Sequence, residues 1–183
     1  MPGLLRAVNH LLNWDARSLS QPGEKVYFYY HQIVEQARNP YFYETQNVPD
    51  TLEGRFDCIS LHMALVLMVL KEANHQELSQ ALFDLFFADV DRNLREIGVG
   101  DLSVGRQVKK LASNFYGVLQ AYEDGLSQEP LLSKSLVTNL YGGEKPSEAQ
   151  LKILINYMRE SIRVLSKINF EQENIKIVWP ELR

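Results

Sequence analysis

Glu72 and His75 stand three residues apart, the Glu-x-x-His spacing with which helical bundles hold a pair of metal ions. Such a centre needs that motif twice and two further inward glutamates. This chain carries one copy, at a point where the periodicity of a helix runs out. His62 lies in an otherwise apolar stretch, where a buried, hydrogen-bonded imidazole is the plain expectation. His10 and His31 have no obvious carboxylate partner adjacent in sequence. The one cysteine, Cys58, permits no intramolecular disulfide and no cysteine-rich metal site. In its apolar surroundings it reads as a small buried hydrophobe.

Asp84, Asp89 and Asp91 form an acidic run of the kind that binds metal on the helices of prenyl-transferring enzymes. Those sites cluster acids more tightly, usually twice, and here Arg92 and Arg95 are interleaved, so a salt-bridged surface is expected instead. The stretch Gly98-Val-Gly100, continuing through Asp101 to Gly105, imitates a glycine-rich phosphate loop. No strand precedes it, and it reads as a turn between helices. No Gly-x-Ser-x-Gly elbow is present. Arg106, Lys109 and Lys110 sit at i, i+3 and i+4 of one helix. They read as a solvated face or as a docking patch for an acidic or phosphate-rich partner. The expectation is a chain with no catalytic constellation and no metal or nucleotide cofactor.

The elements that would position these residues are helices. In 183 residues, 45% apolar and 23% charged, one globular domain is the default. Apolar stripes recur at helical spacing in nearly every segment. Leu4, Leu5, Val8, Leu11 and Leu12 form the first; Ser20 and Pro22 then signal a helix start. The next helix should bury Val26, Tyr30, Ile33, Val34 and Ala37 and stop near Asn39, before Pro40. Residues 40–54 read as a loop, unusual in holding Tyr41, Phe42 and Tyr43.

A helix from about Arg55 to Glu72 is apolar nearly all round from Met63 to Leu70, which belongs at the centre of a bundle. A fourth, Gln76 to Ile97, should carry the pairs Asp91/Arg95 and Arg92/Glu96. Gly98 and Gly100 end it in the left-handed conformation, and Asp101 or Ser103 caps the fifth. A short helix over Pro130 to Leu140 and a last one opened by Pro146 complete an all-α single-domain bundle of six or seven helices, with Ile175 to Trp179 a short extended piece. The net charge of -4 and pI of about 5.6 argue against a nucleic-acid binder and against general attraction to anionic membranes. No apolar run reaches the ~20 residues of a membrane span, and no secretory or transit leader is visible. The chain is expected to be soluble and cytoplasmic in a bacterium.

Particular blocks then matter more than the pattern. Gln36-Ala-Arg-Asn-Pro-Tyr-Phe-Tyr43 and Val48-Pro-Asp-Thr-Leu-Glu-Gly-Arg-Phe-Asp57 resemble the hallmark loop of the ubiquinol–cytochrome c chaperone family. Ala81 to Asp84, Asp89 to Gly105, Val108-Lys-Lys and Phe115-Tyr-Gly117 continue the likeness, in the order of the bacterial branch. It covers roughly residues 24–141 of the single helical domain 1–183; the C-terminal helix and tail, 142–183, match no block.

The resemblance implies a non-catalytic assembly factor. Mitochondrial members of the family help newly made cytochrome b reach the ubiquinol–cytochrome c reductase complex, acting with a small partner protein near the ribosome and inner membrane. The implied partners here are cytochrome b or another membrane-protein client, with a small partner protein, the ribosome and peripheral membrane contact as further candidates. A chaperone for such a client needs a groove that shields an apolar segment. Its expected surface comprises Tyr41, Phe42, Asp50, Arg55 and Asp57, the turn Gly98, Gly100 and Asp101, and the basic patch Arg106, Lys109 and Lys110. Arg55 and its two aspartates have a second reading, as pins that hold the long loop to the bundle. Two other functions remain open: a lipid- or small-molecule-binding bundle, marked by an enclosed apolar cavity, and a carboxylate-metal enzyme, marked by bound metal.

Overall fold

The computed structural model describes residues 23–172 and 175–182. The expected opening helix with its stripe Leu4 to Leu12, the start signal Ser20 and Pro22 of the helix after it, and His10 lie outside the described residues. Within them are seven helices: α1 (Glu24–Ala37), α2 (Pro40–Glu44), α3 (Leu52–Glu72), α4 (Gln76–Glu96), α5 (Asp101–Leu126), α6 (Glu129–Asn139) and α7 (Glu148–Leu165). No strand occurs among the described residues.

α3 is the centre, as its all-round apolarity requires: every residue from Ser60 to Leu70 is buried. It packs against α1, α4, α5 and α7, which leaves its C-terminal half from Leu61 to Leu70 no face for solvent. A fully buried Leu, Val or Met side chain contributes ~1.5–3 kcal/mol, and this one helix supplies Leu61, Met63, Leu65, Val66, Leu67 and Leu70. α1 buries Val26, Tyr29, Ile33 and Ala37; the half-buried Tyr30 and Val34 were expected in that row, and Tyr29 takes the inward place.

Proline shapes the chain after α1 differently from expectation. It does force Asn39 out of helical geometry (φ -58°, ψ 123°), but Pro40 then opens a new helix, with the Asn39 carboxamide oxygen accepting from Tyr41 N at 3.0 Å. A first helical turn tolerates proline because its missing N–H would have no partner there. The loop therefore shrinks to residues 45–51, and α3 begins three residues before Arg55. Thr51 Oγ1 caps α3 by accepting from Gly54 N at 3.1 Å. Gly54 is obligatory: a Cβ there would stand 2.0 Å from the Pro49 carbonyl oxygen. Tyr141 Oη donates to Gln46 O at 2.8 Å and Gln150 Nε2 to Thr45 O at 3.0 Å, tying the loop to the far end of the bundle.

Helix ends refine the expectations elsewhere. Gly98 is left-handed (φ +90°), but Gly100 (φ -63°) is not; it is itself the N-cap of α5. Neither Asp101 nor Ser103 caps that helix through its side chain. Pro146 precedes rather than opens α7, whose cap is Ser147 in a reciprocal box with Gln150. The piece 175–179 runs without helix or strand, anchored by Ile177 N donating to Gln32 Oε1 at 2.7 Å.

Candidate functional site

A groove of about 990 Å³ opens between α3 and the α4–α5 hairpin, with α1 and α6 also contributing to its lining. Its floor is apolar because the inward stripes of three helices meet there: Phe56 and Ile59 from α3, Phe86, Val90 and Leu94 from α4, Phe115 from α5. Phe56 stacks on Phe86, centroids 5.5 Å apart and rings 15° from parallel. At the mouth, Leu52 and Ile97 are 57% and 58% exposed, so the apolar surface continues to solvent instead of being sealed.

Polar groups line the walls. Tyr30 Oη donates to Asp89 Oδ2 at 2.9 Å, and Arg92 donates to the other oxygen of that carboxylate. Burial, then the Asp89 charge, push the Tyr30 phenol far above its ordinary range. Arg55 Nε donates to Asp50 Oδ1 at 2.6 Å, a solvent-exposed pair that holds the Asp50 carboxyl below the usual range. Asp57 behaves in the opposite way. Burial, and after it the charge of Glu53 one turn earlier, push its carboxyl up to about 6.

Of the residues expected at a partner surface, Arg55 and Asp57 line this groove, and Asp50 reaches it through Arg55. The others lie elsewhere. Phe42 is a correction: it is fully buried, edge-on to His62 and Tyr157 at 5.1 and 5.5 Å, and offers a partner nothing. Tyr41 is half-buried on α2, outside the groove lining. Gly98 follows the rim residue Ile97, while Gly100 and Asp101 continue past it, Asp101 paired with Arg95. Arg106, Lys109 and Lys110 are exposed on α5; their neighbour Gln107, not they, lines the groove.

The floor residues Phe56, Ile59 and Val118, and the polar Glu53, Ser60 and Asn114, were not expected at a site. Phe86, Val90, Leu94, Leu111 and Phe115 belong to the apolar stripes of α4 and α5. A stripe facing a groove has the same period as one facing a core, which is why spacing alone does not single them out.

Of the groups considered for catalysis or metal binding, Glu72 and His75 stand at the junction of α3 and α4 with Glu72 exposed, while His62 and the α4 carboxylates are otherwise engaged. Both ring nitrogens of the buried His62 have partners: Cys58 O at 2.7 Å from Nδ1 and Tyr157 Oη at 2.8 Å from Nε2. Gln36 Nε2 donates to the same phenol at 3.0 Å. Burial lowers His62 to about 4 and raises the Cys58 thiol to about 12, so at neutral pH the imidazole is neutral and the thiol protonated. Along α4, Asp91 binds Arg95 as expected, but Arg92 pairs with Asp89 and not Glu96, and Asp84 accepts from Gln80 at 3.0 Å. His31 does have a carboxylate neighbour, Glu35, 3.8 Å away. No group of three or more potential metal ligands converges among the described residues, and no helix there is long and apolar enough to cross a membrane.

Fold and groove define an all-helical bundle presenting an open, apolar-floored cleft with charged walls. A model of the ubiquinol–cytochrome C chaperone family matches residues 44–172, most of the chain, and this protein belongs to that family. The match runs through α7 and beyond the point, near residue 141, where recognisable blocks end. The ubiquinol–cytochrome c reductase complex assembly factor 1 of Xenopus laevis is 22% identical over 158 residues, covering 84% of this chain and 79% of that protein. The Drosophila melanogaster protein of that name is also 22% identical, over 98% of this chain and 73% of its own length. Among solved structures, the Cbp3 homolog from Brucella abortus superposes with a TM-score of 0.73 at 32% identity, over 92% of this chain and 90% of that one.

Proposed function

We propose that this protein is a non-catalytic assembly chaperone for the ubiquinol–cytochrome c reductase complex, working from the cytoplasm of a bacterium, with unassembled cytochrome b as its client. The groove is the surface that holds an apolar segment of that client. The observation that carries this reading is the continuity of the aromatic floor with the exposed Leu52 and Ile97 at the mouth. An apolar surface that opens to solvent between charged walls suits helix-in-groove docking, whereas a lipid carrier would enclose its ligand. Family membership supplies the assembly role. A neutral, doubly hydrogen-bonded His62 and a protonated, buried Cys58 speak against their use in catalysis.

The test is recovery of tagged protein from its native cell, with cytochrome b assayed by specific antibody. Wild type retains cytochrome b, and the doubly substituted Leu52→Asp/Ile97→Asp protein, altered only at exposed positions, loses it. Retention by the double variant removes the groove from the account. Absence of cytochrome b from the wild-type preparation removes the client.

A further inference from the structure

The groove holds a carboxylate that no partner among the described residues neutralises. Asp57 sits one turn after Glu53 and one turn before Ser60, so all three project from the same face of α3, and all three line the groove. The influences on Asp57 are burial and the like charge of Glu53, and both act against its ionised form. Of the two arginines in the lining, Arg55 is bound to Asp50. On the opposite wall the carboxylate of Asp89 is already matched by Tyr30 and Arg92.

A second, independent observation lies beside it. Ser60 is 2% exposed, and its Oγ has no hydrogen-bond partner among the described residues although it lines the groove. Buried polar atoms of folded proteins nearly always have partners. A buried hydroxyl without a partner, on the same helix face as an unmatched carboxylate, describes a receptor for a group that brings N–H donors and positive charge.

We propose that the occupant of the groove is an apolar helix of a partner protein carrying one lysine or arginine on its apolar face, and that its cation is received between Glu53 and Asp57 with Ser60 Oγ as a further acceptor. The aromatic floor recognises the apolar face, and the acidic pair fixes register and direction. A buried basic side chain is costly in an apolar segment awaiting assembly; this site covers the apolar surface and the charge together. The inference rests on the groove being the client site, and it adds the chemistry of what is held.

The probe is a synthetic amphipathic helix with a leucine face and a glutamine face. One version carries lysine at the centre of the leucine face, the other norleucine at that position. Binding of each labelled peptide to the full chain is followed by fluorescence anisotropy at neutral pH. Wild type should hold the lysine peptide about tenfold or more tighter than the norleucine peptide. Asp57→Asn should abolish that preference, and Glu53→Gln, at an exposed position, should reduce it. Equal binding of the two peptides to wild type, a preference that survives Asp57→Asn, or no binding of either peptide overturns the inference. In each of those cases the Leu52→Asp/Ile97→Asp recovery experiment still decides separately whether the groove holds the client.

Discussion

Replacing Asp57 by asparagine should make the protein more stable at neutral pH, and the gain should vanish on acidification. The folded carboxyl titrates near 6 against an ordinary 3.8, so the folded state binds its proton more tightly than the unfolded one. Stability is therefore full below about 3.8 and is lost as pH rises through about 6. The whole displacement corresponds to about 3 kcal/mol. Asp57 is only partly buried at the groove wall, and screening by solvent brings the expectation to about 1–2 kcal/mol.

His62 acts with the opposite sign. Its folded value of about 4 lies below the ordinary 6.5, so its contribution is present above 6.5 and is lost as pH falls through about 4. That loss, about 3 kcal/mol for a fully buried ring, is partly masked in wild type by the gain from Asp57 and should be exposed in the variant. Urea unfolding followed by circular dichroism, for both proteins in steps from pH ~7.5 to ~4 at fixed ionic strength, gives the difference directly. Every other titrating group is common to both chains and cancels. The variant should lead by about 1–2 kcal/mol at neutral pH and converge on wild type as pH falls toward ~4. A difference that does not vary with pH, or a variant less stable at neutral pH, refutes the reading of Asp57 as an uncompensated carboxylate.

Leu67→Ala, within the buried run of α3, should cost ~2–5 kcal/mol in the same denaturation assay, and a cost under ~0.5 kcal/mol would place that helix at the surface. Gly54→Ala must displace the Pro49 carbonyl from a clash at 2.0 Å; a loss of about 1–3 kcal/mol or more is expected, along with faster proteolysis in 45–51. Arg55→Ala removes a pair exposed on both sides, so its melting temperature should match wild type. A clear destabilisation would assign Arg55 to pinning the loop, and a folded protein with weaker client recovery would assign it to contact.

The bundle was legible because burial writes itself into composition. α3 has no polar face between Met63 and Leu70, and a helix of that kind has only one place in a fold. The loop after α1 was harder, since Pro40 ends one helix and begins another three residues later. The sequence shows the stop, while the start depends on Asn39 turning its carboxamide onto Tyr41 N. That difference also moved Phe42, which a loop would present and a helix turns inward against His62. Arg55 and Asp57 were found through the block that contains them. Ser60 was not, because a serine among apolar neighbours gives no sign that its hydroxyl lacks a partner. The groove is a property of three helices at once, and no single stripe announces whether the surface it meets is covered.

Assistance by this chain in assembling the ubiquinol–cytochrome c reductase complex through cytochrome b is tested most directly by quantifying that complex in the native cell after deletion of the gene. Mature cytochrome b and the assembled reductase should be depleted while other respiratory complexes persist, with recovery on re-expression of wild type but not of Leu52→Asp/Ile97→Asp. A deletion strain with normal cytochrome b and normal reductase contradicts the account.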